Sequence, residues 1–85
     1  METRIHDIRG IPLWLLRDYL VDLGGVVQPD GAVAGPAWQG RLTRLDDVRI
    51  GSLRVGEVRM ELRGTPEALQ RLEHALHFKL LRAGG

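Results

Sequence analysis

Few residues in this 85-residue chain are suited to covalent chemistry. It contains no cysteine, which excludes disulfides, thiolate zinc ligands and cysteine nucleophiles. Its hydroxyl nucleophiles are limited to Ser52, Tyr19 and three threonines, without a Gly-x-Ser-x-Gly elbow. Lys79 is the only lysine, so Schiff-base chemistry would depend on it alone. A chain this short also leaves no interior for a buried cofactor. We therefore predict that the protein is not an enzyme and has no cofactor.

Three histidines are the candidates for metal binding. His74 and His77 lie three residues apart on a predicted helix, and His6 is the candidate for a third ligand. This spacing is common by chance, and no convergent pair of carboxylates accompanies it. We interpret the two helical histidines as surface residues and expect no metal. Asp18 and Asp22 share a helix face in the same way, and we interpret them as solvated rather than as an acid–base pair.

A row of arginines is the candidate binding surface. Regular strand alternation between residues 38 and 64 predicts one sheet face with four guanidinium groups, those of Arg41, Arg54, Arg59 and Arg63. Such a row could hold a phosphate, a carboxylate or an acidic protein partner by bidentate hydrogen bonds. A solvated strand face with local Arg–Glu pairs explains the same pattern. The face has no stacking aromatic residue and the net charge is only +1, so we do not expect nucleic acid as a partner.

Two helices are predicted to position these residues. Leucines at steps of three and four between Leu13 and Leu23 predict a first helix, which begins near Pro12 and ends at Gly24-Gly25. Trp14 and Val21 are predicted to widen its apolar stripe. The run 65–67, Thr-Pro-Glu, predicts the start of a second helix that continues to the end of the sequence.

The remaining segments are predicted to be strands. Residues 3–8 form a short β-branched stretch, residues 26–34 are typical of a small hairpin around Pro-Asp-Gly, and regular alternation begins at Trp38. We predict two-residue turns at Asp46-Asp47 and at Gly56-Glu57. With these turns, one apolar face collects seven residues: Trp38, Leu42, Leu53, Val55, Val58, Met60 and Leu62.

For the whole chain we predict the order β-α-β-β-β-β-α. We expect an α+β fold, with a curved antiparallel sheet that carries both helices on one face, in a single domain over residues 1–85. The longest apolar run, residues 11–16, is too short to span a bilayer, and residues 1–5 have no apolar signal region. We accordingly expect a cytoplasmic protein with no membrane partner.

This element order resembles that of TATA-binding-protein-like domains. With its length and its Arg-rich strands, the chain also resembles a small bacterial domain of unknown function that is sometimes fused to sulfur carriers of the molybdopterin-synthase small-subunit type. The resemblance implies an accessory role near sulfur-carrier or molybdenum-cofactor chemistry. It supplies no catalytic residues.

The final Gly84-Gly85 resembles the end of ubiquitin-like and molybdopterin-synthase small-subunit sulfur carriers. Such carriers need an extended tail that threads into a partner's active site, where the terminal carboxylate is adenylated. Here the pair follows a predicted helix, and glycine is an ordinary residue at a helix C-terminus. We interpret the pair as a helix cap, with a carrier tail as the alternative.

Two functions are consistent with these observations. The first is a non-enzymatic binding or assembly domain that uses the Arg-rich face or an exposed sheet edge. Its partner would be another protein or a second copy in a homodimer, with an anionic small molecule as a further candidate. The alternative is an accessory or carrier protein of sulfur-carrier or molybdenum-cofactor biosynthesis, acting through Gly85.

Overall fold

The protein has the predicted α+β fold and element order. A computed structural model describes residues 1–84 of the chain. Its elements are β1 (Glu2–Arg9), α1 (Leu13–Asp22), β2 (Val26–Val27), β3 (Val33–Gly35), β4 (Trp38–Ile50), β5 (Leu53–Gly64) and α2 (Pro66–Gly84). The five strands form one antiparallel sheet in the order β1-β5-β4-β3-β2. This arrangement makes β1 and β2 the two edges of the sheet.

Both helices pack on the same face of the sheet. The core joins Leu20 of α1 to Leu69 and Leu72 of α2, and to Met60 and Leu62 of β5. These five side chains are almost completely buried, with at most 4% of their surface exposed. Their removal from water is the main stabilising contribution in a chain of this size.

Helix α1 begins and ends close to the predicted positions. Pro12 occupies the N-cap position with no capping side chain, and the C-cap is Leu23. Gly24 follows with a φ of 104°, and its amide donates to the carbonyl of Val21 over 3.0 Å. The Gly25 amide donates to the carbonyl of Leu20 at the same distance. These two bonds form a Schellman motif, whose left-handed residue favours glycine.

The prediction that Trp14 and Val21 join the buried stripe of α1 was wrong. Trp14 is 60% exposed and Val21 is 41% exposed, whereas Leu16 and Leu20 are fully buried. The sheet contacts only a narrow part of this short helix. A large indole therefore remains on the surface near the N-terminus of α1.

Helix α2 begins as predicted. The Thr65 hydroxyl oxygen accepts a hydrogen bond from the Ala68 amide over 3.2 Å, which satisfies one of the free amides of the first turn. The buried stripe continues through Leu69, Leu72 and Leu76. The helix extends to Gly84.

The two predicted turns between residues 38 and 64 were wrong, because β4 and β5 form one long hairpin. The chain turns at Gly51-Ser52, where Gly51 has a φ of 60° and Ile50 pairs with Leu53. Asp46-Asp47 lies inside β4, at an irregularity that shifts the register between Leu45 and Val48. Gly56-Glu57 lies inside β5. A turn there would break the continuous pairing of β5 with β1, which extends from Glu57 to Gly64.

Because the hairpin is continuous, the seven residues predicted to share one apolar face do not all lie on the same side of the sheet. Side chains alternate along a continuous strand, so Val58, Met60 and Leu62 of β5 point toward the helices and are buried. Trp38 is buried beside them, and Leu42 is partly buried. Leu53 has the opposite parity and lies on the other face, whereas Val55 lines a cleft beside the N-terminal end of α1. Leu53 is 66% exposed.

Trp38 packs over several glycines at one end of the sheet. A Cβ atom on Gly35 would lie 2.0 Å from Cε2 and 2.1 Å from Cζ2 of the Trp38 ring. A Cβ on Gly25 would lie 2.9 Å from Cη2 of the same ring, and a Cβ on Gly64 would lie 2.9 Å from Trp38 Cα. These positions need glycine because any side chain would overlap the indole, its backbone or adjacent atoms of Val33 and Ala37.

Candidate functional site

Three of the four predicted binding arginines lie on the sheet face away from the helices, which we call the open face. Arg41, Arg59 and Arg63 belong to it because they alternate with the buried residues of β4 and β5. Two of them are already paired. Arg59 donates through Nε and an Nη to the two carboxylate oxygens of Asp7, over 3.0 and 3.2 Å. Arg41 donates to Asp30 Oδ2 over 3.1 Å.

These ion pairs alter the titration of the open face. The hydrogen bond from Arg59 holds the pKa of Asp7 below its usual value. The pKa of Asp30 is lowered first by a hydrogen bond from the Ala32 amide and then by the bond from Arg41. A neighbouring pair joins Arg9 to Glu57 over 3.0 Å. The open face therefore carries several ion pairs, and Arg9, Arg41 and Arg59 each have a carboxylate partner within the chain.

Arg63 differs from the other two arginines. It forms no ion pair with any residue from 1 to 84. With Gln39, Arg41 and Glu61 it lines a shallow depression of about 130 Å³. A depression of this size is smaller than ordinary ligand sites, which occupy roughly 300–1,000 Å³.

Arg54 lies on the opposite side of the sheet from the other three. It pairs in register with Arg49 of β4, and its parity along β5 is that of Val58 and Met60 rather than that of Arg59. The prediction of four arginines on one face assumed a turn at Gly56-Glu57. Because β5 is continuous, residue 54 faces the helix side.

Arg54 belongs instead to a projecting part of the β4–β5 hairpin, residues 44–55, which we call the hairpin tip. β3 pairs with β4 only as far as Gly40, and β1 pairs with β5 only from Glu57 onward. The tip therefore extends beyond the neighbouring strands as a two-stranded ribbon. Its open face is apolar, with Ile50 53% exposed beside Leu53. Its helix-side face carries three arginines, Arg44, Arg49 and Arg54.

A cleft of about 450 Å³ lies between the hairpin tip and the N-terminal end of α1. We call it the tip cleft. Its apolar wall consists of Ile11, Pro12, Leu13, Trp14, Val55 and Val58. Arg44 and Arg54 also line it, and neither forms an ion pair with a residue of the described chain. The cleft thus combines an exposed indole, aliphatic surface and two free guanidinium groups.

The sequence contains only part of the signal for this cleft. Arg44 and Arg49 are five residues apart, an odd spacing that places them on opposite faces of a regular strand. The irregularity between Leu45 and Val48 adds one residue and brings both to the same side. Sequence alternation alone therefore missed this cluster, and helical periodicity placed Trp14 in the apolar stripe of α1 rather than in a surface cleft.

A second charged cluster ties the edge strand β1 to α2. Arg4 bonds to Glu73 Oε1 and, over 2.8 Å, to Glu2 Oε2. His6 Nε2 lies 2.6 Å from Glu73 Oε2. Partial burial alone raises the pKa of Glu73, but the hydrogen bonds from Arg4 and His6 outweigh it and the pKa is lowered. This cluster fixes the helix against the strand.

The three histidines do not gather into a metal site. His6 contacts Glu73, whereas His74 and His77 pack against the Phe78 ring with centroid distances of 5.1 and 5.9 Å. Within residues 1–84, no group of three or more His, Asp or Glu side chains is placed to hold a metal ion. Of the two aspartates on α1, Asp22 lies 3.5 Å from Lys79 of α2.

The Gly84-Gly85 pair is described only in part. Gly84 is the last residue of α2, and Gly85 lies outside the described residues. The predicted role of the pair as a helix cap therefore stays a prediction. In the described part of the chain, no helix has the length and apolarity needed to cross a membrane.

By its fold, the protein is a small α+β domain with one antiparallel sheet and a projecting hairpin. A family model described as "Archaeal MoaD-like protein" matches residues 4–85, which is nearly the whole sequence. The chain belongs to this archaeal MoaD-like family, which is related to the sulfur carriers. A search of the curated proteins gave no match.

Proposed function

We propose that the protein is a carrier of the sulfur-carrier type, whose reactive group is the carboxylate of Gly85. The family match carries this proposal, since it extends through Gly84-Gly85. The chain has no cysteine, so no side chain can hold sulfur as a persulfide. A carrier built on this sequence must use another group, and a C-terminal carboxylate meets that need. A partner enzyme would adenylate it with ATP and release pyrophosphate, and sulfide-level sulfur from a donor would then displace AMP to leave the thiocarboxylate. The activating enzyme and the sulfur donor would be protein partners.

The end of α2 is compatible with this role. The fully buried stripe of the helix ends at Leu76, and Leu81 and Arg82 are exposed. A carrier tail must leave the helix to enter a partner's active site. Exposed side chains such as Leu81 and Arg82 contribute little packing to hold a helix end in place, and weakly packed helix ends open at low cost. This feature favours release of the final residues.

The test is the mass of the protein purified from its source organism. We expect a fraction in which one oxygen of Gly85 is replaced by sulfur, and this fraction should react with a thiol-alkylating reagent. A variant that lacks Gly84 and Gly85 should keep the thermal midpoint of the parent and lose the modification. Ser52→Ala, at the exposed turn between β4 and β5, serves as a control that keeps it. Native protein with only an unmodified carboxylate, and tail-deleted protein that supports the pathway fully, would refute the proposal.

A binding or assembly role through the edge strand β1 is the second candidate. β1 is eight residues long and lies at the edge of the sheet, where it can pair with a strand of another molecule. Light scattering tests for a homodimer, and Ile5→Pro should abolish a dimer formed through this edge. Three further statements remain proposals. They are the likeness of the fold to TATA-binding-protein-like domains, the likeness to a bacterial domain fused with sulfur carriers, and a location in the cytoplasm.

A further inference from the structure

We infer that the tip cleft binds an acidic segment of a partner protein, with an apolar side chain of that segment seated against Trp14. This inference goes beyond the carrier proposal and does not depend on it, since it concerns a surface remote in sequence from Gly85.

The unpaired arginines of the hairpin tip indicate that the ligand is acidic. Arg49 and Arg54 face each other directly across the two strands of the tip, and like charges in that position destabilise a sheet. Elsewhere in the described chain, Arg4, Arg9, Arg41 and Arg59 each contact a carboxylate, whereas Arg17, Arg63, Arg71 and Arg82 form no ion pair within residues 1–84. Those four are scattered, whereas three unpaired arginines lie together at the tip. The arginines of the tip have no such partner among residues 1–84. A ligand with carboxylates would supply the missing negative charge by bidentate hydrogen bonds.

The apolar wall of the cleft indicates that the ligand also presents an apolar side chain. Trp14 is 60% exposed, although an indole of this size gains much free energy when it is buried. Tryptophan and arginine are the residue types that dominate protein–protein binding energy, and here they line one cleft. The cleft is an open trough between α1 and the hairpin, large enough for one side chain and its flanking backbone at about 450 Å³.

Two acidic residues lie near the cleft and bear on its charge. Glu57 lines it but is paired with Arg9. Asp47 Oδ1 lies 3.9 Å from the position that a Cβ on Gly56 would occupy, and it forms no ion pair within residues 1–84. Removal of the Asp47 charge should therefore tighten binding of an acidic segment.

The experiment uses the full chain and a short synthetic peptide with one leucine flanked by glutamates. Two further peptides replace the glutamates by glutamine or the leucine by alanine. Binding is measured from the anisotropy of the labelled peptide and from the NMR shift of the Trp14 indole N–H. Trp38 is an internal reference because it is only 7% exposed. We expect the acidic leucine peptide to bind and to shift the Trp14 signal alone.

Matched variants identify the residues involved. Arg44→Gln and Arg54→Gln should each weaken binding about fivefold or more, consistent with the loss of an interfacial charge contact. Arg63→Gln makes the same charge change on the open face and should weaken it less than twofold. Asp47→Asn should tighten it. Arg54→Gln also relieves the repulsion with Arg49, so its thermal midpoint should equal or exceed that of the parent. Measurement of that midpoint separates a loss of binding from unfolding.

Several results would overturn the inference. These are the absence of any Trp14 shift at millimolar peptide, equal binding of the glutamine peptide, and equal effects of Arg54→Gln and Arg63→Gln. Tighter binding of a single-stranded oligonucleotide or of a small aromatic carboxylate would assign the cleft to another class of ligand. None of these readouts depends on modification of Gly85, so failure here and failure of the carrier proposal are distinguishable.

Discussion

Replacement of Gly35 by alanine tests the packing that fixes one end of the sheet. The added Cβ would lie 2.0 Å from the Trp38 ring, far inside the roughly 3.5–4.0 Å of an ordinary carbon contact. The ring is rigid and buried, so either it leaves the core or strand β3 moves. Full loss of a buried tryptophan costs about 3–5 kcal/mol, and a forced shift of backbone costs about 1–3 kcal/mol. We expect Gly35→Ala to lower the free energy of unfolding by about 2–4 kcal/mol.

Gly56→Ala is the matched control, because it adds the same methyl group to a strand glycine. The nearest atom to its new Cβ is Asp47 Oδ1 at 3.9 Å, and Gly56 has no positive φ. Alanine there should change stability by less than about 1 kcal/mol, since it mainly reduces the freedom of the unfolded chain. Urea unfolding followed by far-UV circular dichroism measures both variants.

The same substitution in a Trp38→Leu protein tests whether contact with the Trp38 ring is the cause. If the overlap with the indole is the cause, Gly35→Ala should cost much less when Trp38 is already leucine, and the two changes should be strongly non-additive. A Gly35→Ala protein as stable as Gly56→Ala, or a penalty that persists fully in the Trp38→Leu background, would refute this account of the sheet end.

Two further predictions concern the ion pairs of the open face and the second helix. The pKa of Asp7 is lowered in the folded protein, so the stability that it contributes is present at neutral pH and is lost as the pH falls through that lowered pKa. Asp7→Asn should therefore flatten the acid limb of a plot of thermal midpoint against pH, and an unchanged limb would contradict the pairing with Arg59. Thr65→Ala removes the hydroxyl that caps α2 and should destabilise the protein by about 1 kcal/mol, measured by urea unfolding. Thr65→Ser keeps the oxygen and should restore most of the loss, whereas equal stability of all three proteins would contradict the cap.

The sequence predicted the helices well because their signals are local. Pro12 and the Thr65-Pro66 pair mark the beginnings, and Gly24 marks one end through a left-handed backbone conformation that other residues adopt at a cost. Leucines at helical spacing identified the buried stripes. Each of these signals depends only on residues within a turn or two of the chain.

The hairpin could not be predicted in the same way. Asp46-Asp47 and Gly56-Glu57 have the composition of turns, and so does Gly51-Ser52. Pairing with β1 keeps β5 continuous through residues 57–64, which leaves Gly51-Ser52 as the turn and converts Asp46-Asp47 into an irregularity of β4. This choice depends on a strand more than 45 residues distant in the sequence, so local composition does not contain it.

The sequence by itself therefore determined the fold class, the positions of the two helices and the absence of a thiol side chain. Only the tertiary structure decided which arginines are neutralised and which are free. Arg59 meets Asp7 because β1 pairs with β5. Arg44 and Arg54 both line the tip cleft because Arg44 pairs with Val58, β5 is continuous from Arg54 to Val58, and the hairpin extends past its neighbours. A one-residue shift in register moves a strand side chain to the opposite face, and long-range pairing alone fixes the register.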